Sequence, residues 1–214
     1  MNLNFSKIKT IISKPKFTTG FTLVELLVTI SIFVILTGVV LFNQARFNST
    51  ILLTNLAYDT ALTIRQAQTY GINVKEFSGL GEFLPYGVHF EKDYKTSFIL
   101  FADTSYVSKD NIGDGLYNNN KDADLSSCEN TKGCVSRYSI KRGNYISDLC
   151  IDGACGKTSL DIVFVRPNPD AFIRANNIPV LVAGNAVIKL MGADGVSQKI
   201  VKVGSNGLIE IVNQ

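Results

Sequence analysis

The chain has 214 residues, 46% apolar and 18% charged, with a formal charge of +3. This composition excludes a disordered polymer. With a single histidine, His89, it also excludes a multi-histidine metal site, and any Ser-His-Asp machinery would have to pass through that one residue. The positive excess is local. Lys7, Lys9, Lys14 and Lys16 precede Gly20 with no acid among them, which leaves 17 bases against 18 acids in the remainder and no general attraction to nucleic acid.

Phe21 to Phe42 reads FTLVELLVTISIFVILTGVVLF, with Glu25 its one ionisable side chain. As a helix this run covers roughly 33 Å, about the hydrocarbon thickness of a bilayer. The lysines on its N-terminal side place that terminus in the cytoplasm and the body across the membrane. A secretory signal fits less well, because its apolar core runs about 7–15 residues and ends in small residues, whereas Asn43-Gln44-Ala45 follows here. Glu25 is costly in such a run, on the order of 2.5–3.5 kcal/mol at a bilayer centre and less one turn from the start. On position alone, an acid snorkelling toward headgroups is as good a reading as a functional one.

Gly20-Phe21-Thr22-Leu23-Val24-Glu25 behind a short basic leader resembles the processing site of type IV prepilins and type II secretion pseudopilins. The resemblance implies cleavage after Gly20 by a membrane-embedded prepilin peptidase and N-methylation of the new terminal Phe21. Glu25 falls where that family carries its acidic residue. The chemistry suits these residue types: Gly20 lets extended backbone enter a protease, and cleavage leaves a positive amine on an apolar helix. Glu25 of a neighbouring subunit would supply the countercharge, replacing two isolated charges with a pair. The implied partners are other pilin or pseudopilin subunits, the peptidase and N-methyltransferase, and the membrane; no cofactor is implied. Phe42 stands where many pilins carry a kinking Pro.

Helical spacing continues through Leu53, Leu56, Ala57, Thr60, Ala61, Ile64 and Ala67, predicting one helix to about Tyr70, stopped by Gly71. A helix so long must pack its second half on the remaining chain. Beyond Asn73 the period changes to two. Tyr86–Glu91 and Thr96–Phe101 read as a hairpin, Leu160–Val165 as a strand closed by Arg166-Pro167-Asn168-Pro169. Ala186–Leu190, Gln198–Val203 and Leu208–Val212 read as a meander turning at Gly192–Gly195 and Gly204–Gly207. The expected class is α+β and pilin-like, with a leader at 1–20, a transmembrane and assembly helix at 21–72, and a mainly antiparallel β-rich domain at 73–214. Leu62–Ala67, Ile99–Asp103 and the final Gly204–Ile211 hairpin make the layout most similar to minor pseudopilins of the GspH/FimT type.

Cys128, Cys134, Cys150 and Cys155 are predicted on the far side of the membrane. Their spacings are looser than those of common zinc ribbons, so disulfides are expected over free thiols or zinc. Three connectivities are open; local pairing, Cys128 with Cys134 and Cys150 with Cys155, is preferred, bracing a hairpin of Val135–Ile140 and Tyr145–Ile151 that turns at Gly143-Asn144. Asp110–Gly115 with Asn118, Asn119, Asn120, Asp122 and Asp124 is oxygen-rich. It misses the EF-hand pattern, with Ile112 and Lys121 at ligand positions, and a solvated turn is the plainer reading. His89 should face away from Val88 and Phe90, at the surface or hydrogen-bonded.

No nucleophile elbow or phosphate loop occurs, and an enzyme is not expected. The expected function is that of a structural subunit of a type II secretion pseudopilus or type IV pilus. Nucleic acid is not an expected partner; the alternative, a FimT-like pilin that captures DNA, would rest on Lys132, Arg137, Lys141 and Arg142, with Asp122, Asp124 and Glu129 close by.

Overall fold

The computed structural model describes residues 20–73, 75–77, 84–104, 114–117, 128, 133–178 and 184–213. It divides into two compact units, Met1–Asn43 and Gln44–Gln214. One helix, α1 (Leu23–Ile72), contributes to both. In the first unit, no part of the apolar stretch Leu23–Leu41 is buried.

The second unit contains the rest of α1 and ten strands: β1 (Tyr86–Glu91), β2 (Ser97–Ala102), β3 (Cys134–Ser139), β4 (Tyr145–Ile151), β5 (Ala154–Cys155), β6 (Ser159–Phe164), β7 (Ala171–Ala175), β8 (Ala186–Met191), β9 (Gln198–Val203) and β10 (Ile209–Asn213). They form two five-stranded sheets, ordered β3-β2-β1-β6-β7 and β10-β9-β8-β4-β5, and every pairing within them is antiparallel. The architecture is the expected α+β, pilin-like one, and β8, β9 and β10 are the expected meander.

The amphipathic stripe of α1 explains the packing. Leu53, Leu56, Ala57, Ile64 and Ala67 join one buried cluster with Val88, Leu100 and Ile162 of the first sheet and Leu149, Ile188 and Val201 of the second. The helix is therefore the shared apolar partner of both sheets, each lending the face that its period-two alternation makes hydrophobic. Thr60 sits within this stripe and satisfies its buried hydroxyl on the Leu56 carbonyl at 2.8 Å.

Two expectations are corrected. Gly71 does not stop the helix; it lies inside the last turn, where a Cβ would run into the backbone carbonyl of Phe164. Glycine is there for close helix–strand approach, a tertiary demand that sequence spacing does not reveal. Secondly, β3 and β4 occupy the expected residues but are not a hairpin. β3 pairs with β2, from Ser97 opposite Ser139, and β4 pairs with β8 and β5. Arg142 and Gly143, with φ of 62° and 79°, carry the chain from one sheet to the other, and Tyr138 stacks on Phe98 of β2 at 4.7 Å.

His89 points away from Val88 and Phe90, as expected, and of the two expected settings it takes the hydrogen-bonded one: it is 4% exposed. The middle of the first sheet is covered on both faces: β2 and β6 are buried along their whole length and β1 nearly so. β5 and β7 are further strands, beyond those expected. β7 is short and carries Arg174 between two turn-forming stretches, which masks its alternation. The Asp110–Asp124 loop lies outside the described residues except for 114–117.

Candidate functional site

The N-terminal segment is built around a helix start. Thr22 precedes α1, and its hydroxyl accepts the Glu25 backbone N–H at 3.2 Å. This is N-cap geometry, satisfying one of the donors that a helix terminus leaves unpaired. It puts the Glu25 carboxylate in the first turn, where an anion is favoured by the aligned peptide dipoles. Gly20 has open space around the position of a Cβ, and Phe21 is 79% exposed.

Beyond them the 19 residues Leu23–Leu41 have a mean hydropathy of 2.6, long and apolar enough to cross a membrane. Their polar side chains are turned inward on the helix. The hydroxyls of Thr29, Ser31 and Thr37 donate to the carbonyls of Leu26, Leu27 and Phe33 at 2.9, 2.8 and 2.7 Å. In hydrocarbon, where no water can serve, such internal partners make hydroxyls tolerable.

Residues 16–41 match the family model described as the prokaryotic N-terminal methylation motif. This supports a type IV pilin-like or pseudopilin subunit. No curated protein and no solved structure matches the chain. The motif lies on the segment where the resemblance placed Gly20, Phe21 and Glu25, and it implies processing by a prepilin peptidase and assembly with other pilins.

The four cysteines are paired locally, Cys128 with Cys134 and Cys150 with Cys155. Because β3 and β4 lie in different sheets, the two bridges do not brace one hairpin. The first ties residue 128 to the start of β3, and the second joins β4 to β5 across the register pair Cys150–Cys155.

A polar site that sequence reasoning missed lies on the outer face of the first sheet. Arg137, Ile99, His89, Asp161 and Arg174 are cross-strand neighbours in one row across β3, β2, β1, β6 and β7. His89 Nδ1 meets Asp161 Oδ1 at 2.8 Å and Nε2 meets Glu91 Oε2 at 3.3 Å. The backbone N–H of Tyr117 donates to the same Asp161 oxygen at 3.2 Å, and the Tyr117 ring lies 5.2 Å from the imidazole. Burial by itself pulls the His89 pKa down. The charge and hydrogen bond of Asp161, helped by Glu91, outweigh it and raise the pKa to about 9. The ring is therefore doubly protonated at neutral pH and donates from both nitrogens. The His89 hydrogen bond in turn holds the Glu91 carboxyl below its usual range. The only sequence signal was polar His89 and Asp161 within otherwise apolar strands.

Of the basic residues of the DNA-binding alternative, Lys132 lies outside the described residues, and Arg137 donates to Ser97 Oγ at 2.8 Å. Lys141 and Arg142 border an open groove of about 600 Å³ between Leu52, Asn55, Leu56 and Asp59 of α1 and the β3–β4 crossing. The Tyr138 hydroxyl donates to Asp59 across this groove. Burial first, then Asp59, raises the Tyr138 pKa to about 12.

Proposed function

We propose that the chain is a structural subunit, a minor pseudopilin or pilin, of a type II secretion pseudopilus or a type IV pilus. It is inserted as a precursor with its N-terminus in the cytoplasm, cleaved after Gly20, methylated at Phe21 and packed into a filament through α1. The observation that carries this reading is an uncovered 19-residue apolar helix that starts directly after Gly20-Phe21-Thr22, holds one acid in its first turn and coincides with the methylation motif. Exposed apolar surface on this scale is unfavourable in water and needs lipid or like helices around it. Glu25 is the countercharge for the Phe21 amine of a neighbouring subunit, and the layout of the β-rich unit favours the GspH/FimT type.

Intact mass and N-terminal sequencing of the protein from native membranes test the reading. A chain beginning at N-methylated Phe21 is expected. A chain retaining Met1 beside an active prepilin peptidase would reduce the protein to a membrane-anchored β-domain and remove the role given to Glu25.

A further inference from the structure

Three connections of the second unit meet at one end of it. The β1–β2 turn (Lys92-Asp93-Tyr94-Lys95) is joined to the β3–β4 crossing by backbone hydrogen bonds from Ile140 N–H to Thr96 O and from Ile146 N–H to Lys95 O, both 2.8 Å. The crossing is joined to the β8–β9 turn (Ala193-Asp194-Gly195-Val196) by Ala193 N–H donating to Asn144 Oδ1 at 3.2 Å. That turn in turn reaches α1, since a Cβ on Gly192 would lie 3.1 Å from Ser49 Oγ. The three connections and the Ser49 end of α1 within this unit thus form one continuous surface.

Its chemistry is uneven. Lys92, Lys95, Lys141 and Arg142 are all exposed, and none forms an ion pair with another described residue. Against them the turns carry Asp93 and Asp194, and Asp194 is already committed to Ser197 and the Val196 N–H. The same turns carry two exposed apolar residues, Tyr94 at 42% exposure and Val196 at 84%. Val196 covers nothing in its own fold. Lys and Arg around an aromatic and an aliphatic tip are what an interfacial membrane contact uses, the cations on lipid phosphates and the tips at the headgroup boundary.

The chain itself limits how far a bilayer can be. Leu41 ends the apolar stretch, and the eight residues from there to Ser49 reach at most about 29 Å even if fully extended.

We propose that this end of the second unit is a docking surface for anionic phospholipid headgroups, those of the membrane that Leu23–Leu41 crosses. The proposal rests on the membrane-anchored reading above. The tether keeps the surface at high local concentration over the bilayer, so weak contacts suffice. Docking holds the unassembled subunit against the lipid, and assembly must release it.

The absence of Trp from the chain makes the test direct. Full-length protein carrying Val196→Trp, or Leu208→Trp as reference, is reconstituted into vesicles of neutral phosphatidylcholine or of phosphatidylcholine with phosphatidylglycerol, each with brominated chains that quench indole. Leu208 is exposed and follows Gly207, whose carbonyl accepts from Gln68, roughly 28 Å along α1 from Ser49.

The Val196→Trp fluorescence is expected to be quenched in anionic vesicles, less so in neutral ones, and to recover in about 0.5 M salt. Leu208→Trp should stay unquenched throughout. Adding Lys95→Gln and Arg142→Gln should lower the docked-to-undocked ratio about five-fold per cation removed. Quenching equal in neutral and anionic vesicles, or absent from both in protein that resists carbonate extraction, overturns the docking surface and leaves the anchor standing. Protein that carbonate extracts from the vesicles overturns both.

Discussion

His89 on β1 and Asp161 on β6 stand directly opposite each other in register, their side chains 2.8 Å apart, with Asp161 wholly buried. The pair links the centre of the first sheet to the segment around Tyr117, because one Asp161 oxygen accepts from both. A buried charge is tolerable only with such a partner, and breaking the pair by removing one member is the expensive change.

The pH dependence follows from the raised His89 pKa. Between the unfolded value near 6.5 and the folded value of about 9, the native state binds the proton and the unfolded state does not. Stability from this group is therefore complete below pH 6.5 and lost as pH rises through 9, by an amount on the order of 3 kcal/mol. Denaturant unfolding at pH 7 and pH 10 should show this fall in the wild type. His89→Gln should be less stable at pH 7 and nearly flat over the same interval.

Gly71→Ala tests the close approach of α1 to β6. Alanine favours a helix by about 1 kcal/mol over glycine, so on propensity alone the variant would be more stable. Its Cβ would meet the Phe164 carbonyl, a backbone atom that cannot turn aside. Overpacking of this kind costs about 1–3 kcal/mol. A lower Tm is expected, and a raised one would show that the helix end moves freely.

Gln68 is buried on α1 and its amide donates to the carbonyls of Pro169 and Gly207, at 3.0 and 3.1 Å. It thereby holds the β6–β7 and β9–β10 connections, one from each sheet, to the helix. Gln68→Ala should cost about 1–3 kcal/mol through two acceptors left without their donor. Gln68→Glu should cost more, since a carboxylate would face both carbonyls. Chemical denaturation of the two variants gives the order.

Glu25→Ala separates anchoring from assembly. The substitution removes the one charge from the apolar helix, so membrane insertion should be unchanged or improved. On the pairing proposed above, its loss would leave the Phe21 amine unpaired in the filament, a loss of about 3–5 kcal/mol per subunit contact, or a hundred-fold or more in incorporation. Membrane fractionation alongside sheared-filament recovery reads both; normal incorporation of the variant would remove the charge-pair role.

What the sequence determined was whatever is written locally. The apolar run with its one early acid, the α1 stripe, the position of most strands and the glycine-rich turns of the last meander are all set by residues near one another in the chain, through side-chain period and turn chemistry. Tertiary structure decided the partners. Nothing local in Val135–Ile140 or Tyr145–Ile151 says that they join different sheets; that depends on Phe98 stacking on Tyr138 and on positive φ at Arg142 and Gly143. Gly71 read as a stop because its reason, the Phe164 carbonyl, comes more than ninety residues later. His89 read as a strand histidine, and only sheet pairing could set it against Asp161, because alternation chooses a face of a strand while register across strands chooses the neighbour.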